Sequence, residues 1–267
     1  MTELTAIVAS VFGAAVLLVG AASASPRHFG TGTQVIVPRG QPVQIAFAGD
    51  TTSFGAPFDL NALQAVRLAI VAHPTVHGFP IHVNVVDAPC GDPTADVAAA
   101  QAVVANTQNV GVVGQLCSGG FDQALPVYQA AGVVVISGSA TNDALPQDGP
   151  TVFDRTIVAD GDGGDAWLAQ LPTLPGDTAW RGAFADLLGS PPTDFADLYY
   201  DAASVLLRSL RHTASVGWNG SLVVDRAALA RDVRRTNGVR GVTCTITIDP
   251  ATGNRVNDPK SLARCAG

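Results

Sequence analysis

Two residue types that carry much enzyme chemistry are nearly missing from this chain of 267 residues. Lys260 is its only lysine and Glu3 its only glutamate. A lone lysine near the end excludes Schiff-base chemistry elsewhere and leaves no Walker A lysine for a Gly-rich phosphate loop. No Ser sits in a Gly-x-Ser-x-Gly elbow, which argues against a hydrolase of that type. The net charge is −7 and no basic patch is visible along the sequence, so nucleic acid is not expected as a partner. Histidines are few. His73, His77 and His82 lie close together, but Pro74, Gly78 and Pro80 between them prevent a shared helical face, and no metal site is expected there.

What the chain has in quantity is apolar residues, 47% of the total, enough to bury a sizeable core in one or two domains. An apolar run over residues 6–19, followed by Ala22-Ser23-Ala24 before Ser25-Pro26, reads as an export signal over residues 1–24. It lacks the usual positive charge at its start, so retention as a membrane anchor is the other reading. The expected location is therefore periplasmic or extracellular. Four cysteines, Cys90, Cys117, Cys244 and Cys265, fit that compartment as disulfides. Pairing of sequence neighbours gives Cys90–Cys117 and Cys244–Cys265, one of three possible connectivities, and the spacings match no zinc pattern.

Residues 25–42 are rich in Pro, Gly and Thr and read as a flexible lead-in. A rhythm of short apolar strands and helical periodicity follows. Strands are expected at residues 43–48, 81–86, 110–114, 133–136 and 152–157. Helices are marked by Leu60, Leu63, Val66 and Ile70, then by Val97, Ala100 and Val104 after the Asp92-Pro93 start, then by Phe121, Leu125 and Tyr128. This alternation predicts an α/β fold, a doubly wound parallel sheet in a three-layer αβα arrangement. Ligands of such sheets sit in the loops at the carboxyl ends of the strands, here residues 49–57, 88–92, 115–120 and 137–142. None contains a His, and none has the pair of nearby carboxylates that general acid–base work needs. At the third loop, Ser118-Gly119-Gly120 opens a helix. Ser118 reads there either as the N-cap or as the holder of an anionic group beside free N–H donors.

After Asp160 the rhythm breaks. Asp160, Asp162 and Asp165 have the look of a calcium loop, but Leu171 stands where the bidentate Glu is needed. An acidic hinge remnant with Asp165 capping a short helix fits better. Gly161-x-Gly163-x-x-Ala166 mimics a dinucleotide fingerprint, yet the surrounding aspartates repel a pyrophosphate. Asp194 is expected to cap a long helix with Leu198, Ala202, Val205 and Ser209 inward. Asp225 is expected to cap another, with Leu229 and Val233 inward, and residues 241–249 alternate as a strand.

Several of these stretches resemble one family. Leu116-Cys117-Ser118 and Ile136-Ser137-Gly138-Ser139-Ala140-Thr141-Asn142 are similar to ligand loops of the branched-chain amino acid type of ABC-transporter substrate-binding proteins, the type 1 periplasmic binding proteins. Residues 192–203, with Tyr199-Tyr200-Asp201-Ala202, resemble that family's second signature helix, and residues 238–249 and 253–257 its closing segment. Cys90 and Cys117 occupy positions where family members carry a disulfide. The resemblance implies a solute-binding protein with no enzymatic activity and no cofactor. It implies an aliphatic amino acid or related amide as ligand and an ABC permease as partner. Carried over residue by residue, Ser118 matches a carboxylate-holding position. Ser139, through its carbonyl, and Thr141, through its hydroxyl, match ammonium-holding positions, with Ala140 between them. Phe54 matches a side-chain pocket in a loop that looks shortened.

The family has two lobes, and nearly all of the second is missing between the two pieces of the first. The expected organisation is thus residues 43–159 and 177–267 as two parts of one ligand-binding lobe, with 160–176 a remnant of the second lobe and hinge. A truncated, weakly binding solute-binding protein follows from this. The alternative is a degenerate, non-transporting scaffold that self-associates through the exposed lobe face.

Overall fold

The structure, a computed structural model, describes residues 34–145 and 152–266. The expected leader and residues 25–33 of the lead-in lie outside the described residues. Among the described residues eleven strands and eight α-helices are formed: β1 (Gln34–Val37), β2 (Val43–Gly49), α1 (Ala56–Ala72), β3 (Thr75–Val76), β4 (Phe79–Asp87), α2 (Pro93–Ala105), β5 (Asn109–Gly114), α3 (Ser118–Ala131), β6 (Val134–Ser137) and β7 (Phe153–Arg155) come first. They are followed by α4 (Gly164–Leu168), α5 (Pro175–Leu188), α6 (Ala196–Thr213), β8 (Ser215–Val216), β9 (Leu222–Asp225), α7 (Arg226–Arg234), β10 (Val239–Gly241), β11 (Cys244–Ile246) and α8 (Pro259–Ala266).

The main sheet runs β3-β4-β2-β5-β6-β7, parallel throughout except for the β3–β4 hairpin. Side chains of β2 alternate between its two faces. Val43, Ile45 and Phe47 join a core with Leu63 and Val66 of α1 and Leu206 and Leu210 of α6. Ala46 and Ala48 face the other way, towards Ala100 and Val103 of α2 and Phe121 and Tyr128 of α3. Alternation with burial on both sides is what a three-layer sandwich requires. The chain leaves β2 for β4 on one side and then crosses to β5 on the other, so the order reverses between β2 and β5. That reversal opens a crevice at the carboxyl ends of these two strands.

Residues 196–213 return as α6, which packs against α1. Residues 160–176 fold back on it: Trp167, Leu171 and Leu174 bury against Leu198 of α6 and Leu262 of α8. Arg255, itself only 2% exposed, stacks its guanidinium 4.5 Å from the Trp167 ring.

Several local expectations need correcting. Asp194 does not cap α6; the cap position is Phe195, at φ 70°, and the turn closes through Ala196 N–H to the Thr193 carbonyl at 3.4 Å. Asp165 lies inside α4, whose cap is Gly163. Residues 241–249 are not one strand. A hairpin, β10–β11, turns at 242–243 because buried Asp201 accepts both the Val242 and Thr243 amides. Leu60 is 44% exposed, and α1 turns Asp59, Ala62, Leu63 and Val66 inward instead. Within the expected lead-in, residues 34–37 form β1, with Val35 and Val37 buried in a small antiparallel sheet, β1-β9-β8. Asp92 and Asp225 do cap α2 and α7, accepting from Thr94 and Ala95, and from Ala228. Both disulfides, Cys90–Cys117 and Cys244–Cys265, are present, with Cα atoms 5.5 and 5.7 Å apart. No helix among the described residues is long and apolar enough to cross a membrane.

Candidate functional site

Each strand of the crevice ends in a small residue and then a polar turn. At the end of β2 the turn is built around Asp50, whose carboxylate is fully buried. It accepts hydrogen bonds from the amides of Ser53 at 2.7 Å, Gly55 at 3.0 Å and Cys90 at 3.2 Å, and from the Ser53 hydroxyl. Burial pushes this carboxyl up, but the Ser53, Cys90 and Gly55 donors outweigh it and hold the group below its usual range. Asp87, at the end of β4, takes the Thr51 amide and hydroxyl and the Thr52 hydroxyl. These two carboxylates are engaged in folding the turn.

The Cys90–Cys117 disulfide carries the connection to the loop after β5. Gly114, at φ +147°, lies so close to β2 that a Cβ there would strike the Ala48 carbonyl. Only glycine fits this approach. Helix α3 then starts with Cys117 at its cap position and no side-chain cap bond. Ser118 is therefore the first helical residue, not the cap. Its hydroxyl oxygen accepts from the Asn142 amide at 3.3 Å, which leaves the hydroxyl proton free to donate. Among the described residues no hydrogen bond engages the amides of Ser118, Gly119 and Gly120. Free N–H groups at the positive end of a 14-residue helix suit an anionic group.

The loop after β6 faces this helix start. The Ser137 hydroxyl accepts the Ser139 and Ala140 amides. The Ser139 hydroxyl meets the Leu116 carbonyl at 2.9 Å and the Tyr199 hydroxyl at 2.8 Å. A carbonyl only accepts, so Ser139 donates to Leu116 and Tyr199 donates to Ser139. The hydroxyl of Ser139 is thus used up, and what remains open on this residue is its carbonyl. Ala140 is fully buried, with its carbonyl held by Arg155 at 2.8 Å. The Thr141 hydroxyl has no partner among the described residues, while its carbonyl accepts the Asp160 amide.

Two further carboxyls lie behind these loops. Asp59, fully buried at the start of α1, is pushed up to about 8 by burial and by the charges of Asp50 and Asp87. Burial therefore favours its protonated form. Asp96 of α2 is pushed up to about 6 by burial and by Asp92 and Asp122. Its Oδ1 accepts the Gln115 amide group at 3.0 Å, and its Oδ2 packs against Gly120 with no hydrogen-bond partner.

Ser118, Ser139 and Thr141 are therefore brought together on adjoining, mutually bonded loops. Ala140 is turned away into the protein, and Phe54 stands at the rim, 75% exposed, against Gly91. Sequence reasoning missed Asp50, Asp96 and Gln115 as organisers. Asp50 had one local signal, since an Asp preceding Thr-Thr-Ser at a strand end is the sequence of a side-chain-closed turn. The arrangement offers hydrogen-bond donors for a carboxylate, and a carbonyl and a hydroxyl for an ammonium. Among the described residues no cluster of three or more His, Cys or Asp side chains could hold a metal ion.

No family model matches the sequence, and no curated protein matches it in sequence. Solved structures do match in three dimensions. The leucine binding protein LivK from Thermotoga maritima superposes with a TM-score of 0.66 at 14% identity, covering 80% of this chain and 93% of that one. The branched-chain amino acid transporter substrate binding protein LivJ from Streptococcus pneumoniae, in complex with isoleucine, gives 0.61 at 15% identity, over 81% and 94%. A solute binding protein of an ABC transporter from Rhodopseudomonas palustris, in complex with 3,4-dihydroxybenzoic acid, gives 0.65 at 15% identity, over 81% and 91%. At these identities the likeness is one of fold. The chain has the fold of the type 1 periplasmic binding proteins, the fold of the substrate-binding proteins of branched-chain amino acid ABC transporters.

Proposed function

We propose that this chain is the solute-binding component of an ABC-type uptake system for a branched-chain or related amino acid, exported by its N-terminal segment and partnered by a membrane permease. One observation carries the reading: three unengaged amides and a free hydroxyl proton at the start of α3 stand beside the open Ser139 carbonyl and Thr141 hydroxyl, on a loop bonded to Ser118. Ser118 with the α3 amides holds the ligand carboxylate, and Ser139 and Thr141 the ammonium, with Phe54 over the side chain. The dihydroxybenzoate-bound neighbour fits the same logic, because a carboxylate is the feature its ligand shares with an amino acid. The loops hold no His, and Asp50 and Asp87 are committed to amides and hydroxyls, so binding rather than reaction is the proposed activity.

The site is half of a cleft. Without a closing lobe the ligand stays partly solvated and its charged contacts are weakened. Loss of roughly 3–4 kcal/mol of closure contacts lowers affinity several hundred-fold. Titration calorimetry with aliphatic amino acids, their amides and benzoate tests this. Millimolar binding that is lost in Ser118→Ala and Thr141→Ala supports it; no heat at millimolar ligand, or unchanged affinity in both variants, overturns it.

A second reading is a non-transporting scaffold that pairs with another copy through the open lobe face. The 75% exposure of Phe54 at the rim of that face favours it. Sedimentation at high concentration separates the two, since a strictly monomeric chain rules out self-pairing.

A further inference from the structure

The end of the lobe opposite the ligand loops has a different character. Residues 38–42, 73–80, 105–109 and 208–221 form the turns at the amino-terminal ends of the parallel strands and the segment that crosses beneath them. They contain no Asp or Glu, but they carry Arg39, His73, His77, Arg208, Arg211 and His212. The carboxylates gather at the other end, with Asp50, Asp87, Asp92, Asp122, Asp143 and Asp160 all in or beside the ligand loops. Helix α6 packs against β3, which brings its last turn alongside the turn that follows α1. Two carboxylates border this end: Asp232, 3.5 Å from His212, and Asp225, next to Arg226, whose guanidinium donates to the Thr107 and Asn109 carbonyls.

The small sheet brings the turn after β1 beside the tip of the β8–β9 hairpin. Val37 lies opposite Leu222, and Leu222 opposite Val216, while Gly220 packs against Arg39. The tip is fixed from within. Gly217 donates to the Ser221 carbonyl and Gly220 to the Gly217 carbonyl, and Asn219 accepts the Ser221 amide and hydroxyl. This closed turn holds Trp218 entirely in solvent, 101% exposed, next to Val216 at 52%. An indole displayed in this way on a turn that packs against Arg39 has the composition of a membrane-interface contact, where the ring sits at headgroup level and the guanidinium meets phosphate.

We propose that this end of the lobe docks on an anionic lipid surface, with Trp218 entering the headgroup layer, exposed Arg39 meeting lipid phosphates, and the half-buried Arg208 and Arg211 adding to the attraction. A chain of net charge −7 is repelled by such a surface as a whole, so the segregation of charge selects one orientation. In that orientation the ligand loops face away from the bilayer. The contact and delivery to a permease are therefore alternative states of the chain, and the contact does not rest on the ligand reading.

The test uses the full chain and its own fluorescence. Trp167 is buried and Trp180 half-buried, so the red edge of the emission belongs to Trp218. Vesicles of phosphatidylcholine mixed with phosphatidylglycerol in equal parts are compared with phosphatidylcholine alone, with brominated acyl chains as quencher. The expected result is a blue shift and quenching with the anionic vesicles only, reversed by high salt. Arg39→Glu and Arg39→Gln lie in an exposed turn and keep the fold, and neutralising one such arginine lowers partition about five-fold. An equal response to neutral vesicles, which an apolar leader acting alone produces, overturns the proposal. So does no response, or an unchanged partition in both Arg39 variants.

Discussion

The amide of Asn142 donates to the hydroxyl of Ser118 at 3.3 Å, across 24 residues of sequence. This bond joins the loop after β6 to the first turn of α3. With Asp50–Cys90 and Cys90–Cys117 it completes a chain of links through the four loops at 49–57, 88–92, 115–120 and 137–142. The loops hold their shape through one another, and the predictions below break these links one at a time.

Asp50→Ala leaves the Ser53, Gly55 and Cys90 amides without their common acceptor. Each buried donor left unpaired costs about 1–3 kcal/mol, so a loss on the order of 4 kcal/mol is expected in urea unfolding. Because the folded carboxyl lies below its usual range, its contribution is present above about pH 4 and is lost as pH falls further. A variant as stable as the parent contradicts the role.

Asp59 titrates in the opposite sense. Its folded value of about 8 lies far above that of an unfolded Asp, so its contribution is full below about pH 4 and is lost progressively as pH rises towards 8. Asp59→Asn keeps the shape without the titration. Stability measured at several pH values is expected to fall less steeply for the variant between these limits, by several kcal/mol at most; parallel curves refute the assignment.

Gly114→Ala places a methyl group against the Ala48 carbonyl at a φ of +147°. Strain of this kind costs about 1–3 kcal/mol, and displacement of the strand end adds to it. A lowered thermal midpoint together with weakened ligand binding is expected, because the shift moves Ser118. An unaffected midpoint shows that the two strands separate there freely.

Replacing Cys90 and Cys117 by Ser removes a link spanning 27 residues. Chain entropy gives about 3–4 kcal/mol for a loop of that size. The Cys244–Cys265 pair is expected to have a similar effect on stability, since its loop is comparable at 21 residues, but none on ligand binding. Equal effects of both pairs on binding contradict the separate role of the first.

Much of this fold is readable in the residues themselves. Strands β2, β5 and β6 are mostly apolar, unlike β7 with its buried Asp154 and Arg155, and Asp92-Pro93 and Asp225 announce their helices directly. Ser118 stands out by its place in a Gly-rich turn after a strand, whereas Ser139 and Thr141 are singled out by the family resemblance. What is not visible depends on distant partners. Asp50 acquires its role from Cys90, 40 residues on. Residues 34–37 become a strand only because β9, nearly two hundred residues later, lies beside them. Arg155 and Arg255 look like surface residues until carbonyls from Ala140, Thr156 and Thr243 surround them. The basic end escapes notice for the same reason, its arginines coming from separate turns with no basic run in any one of them.

The central claim, that the start of α3 and the Thr141 loop hold the ligand, is tested most directly by amide chemical shifts during addition of leucine. Binding as described moves the Ser118, Gly119, Gly120 and Thr141 resonances together, with one dissociation constant in the millimolar range, and Ser118→Ala abolishes the movement. Saturable shifts confined to other residues, or none at these four positions, contradict it.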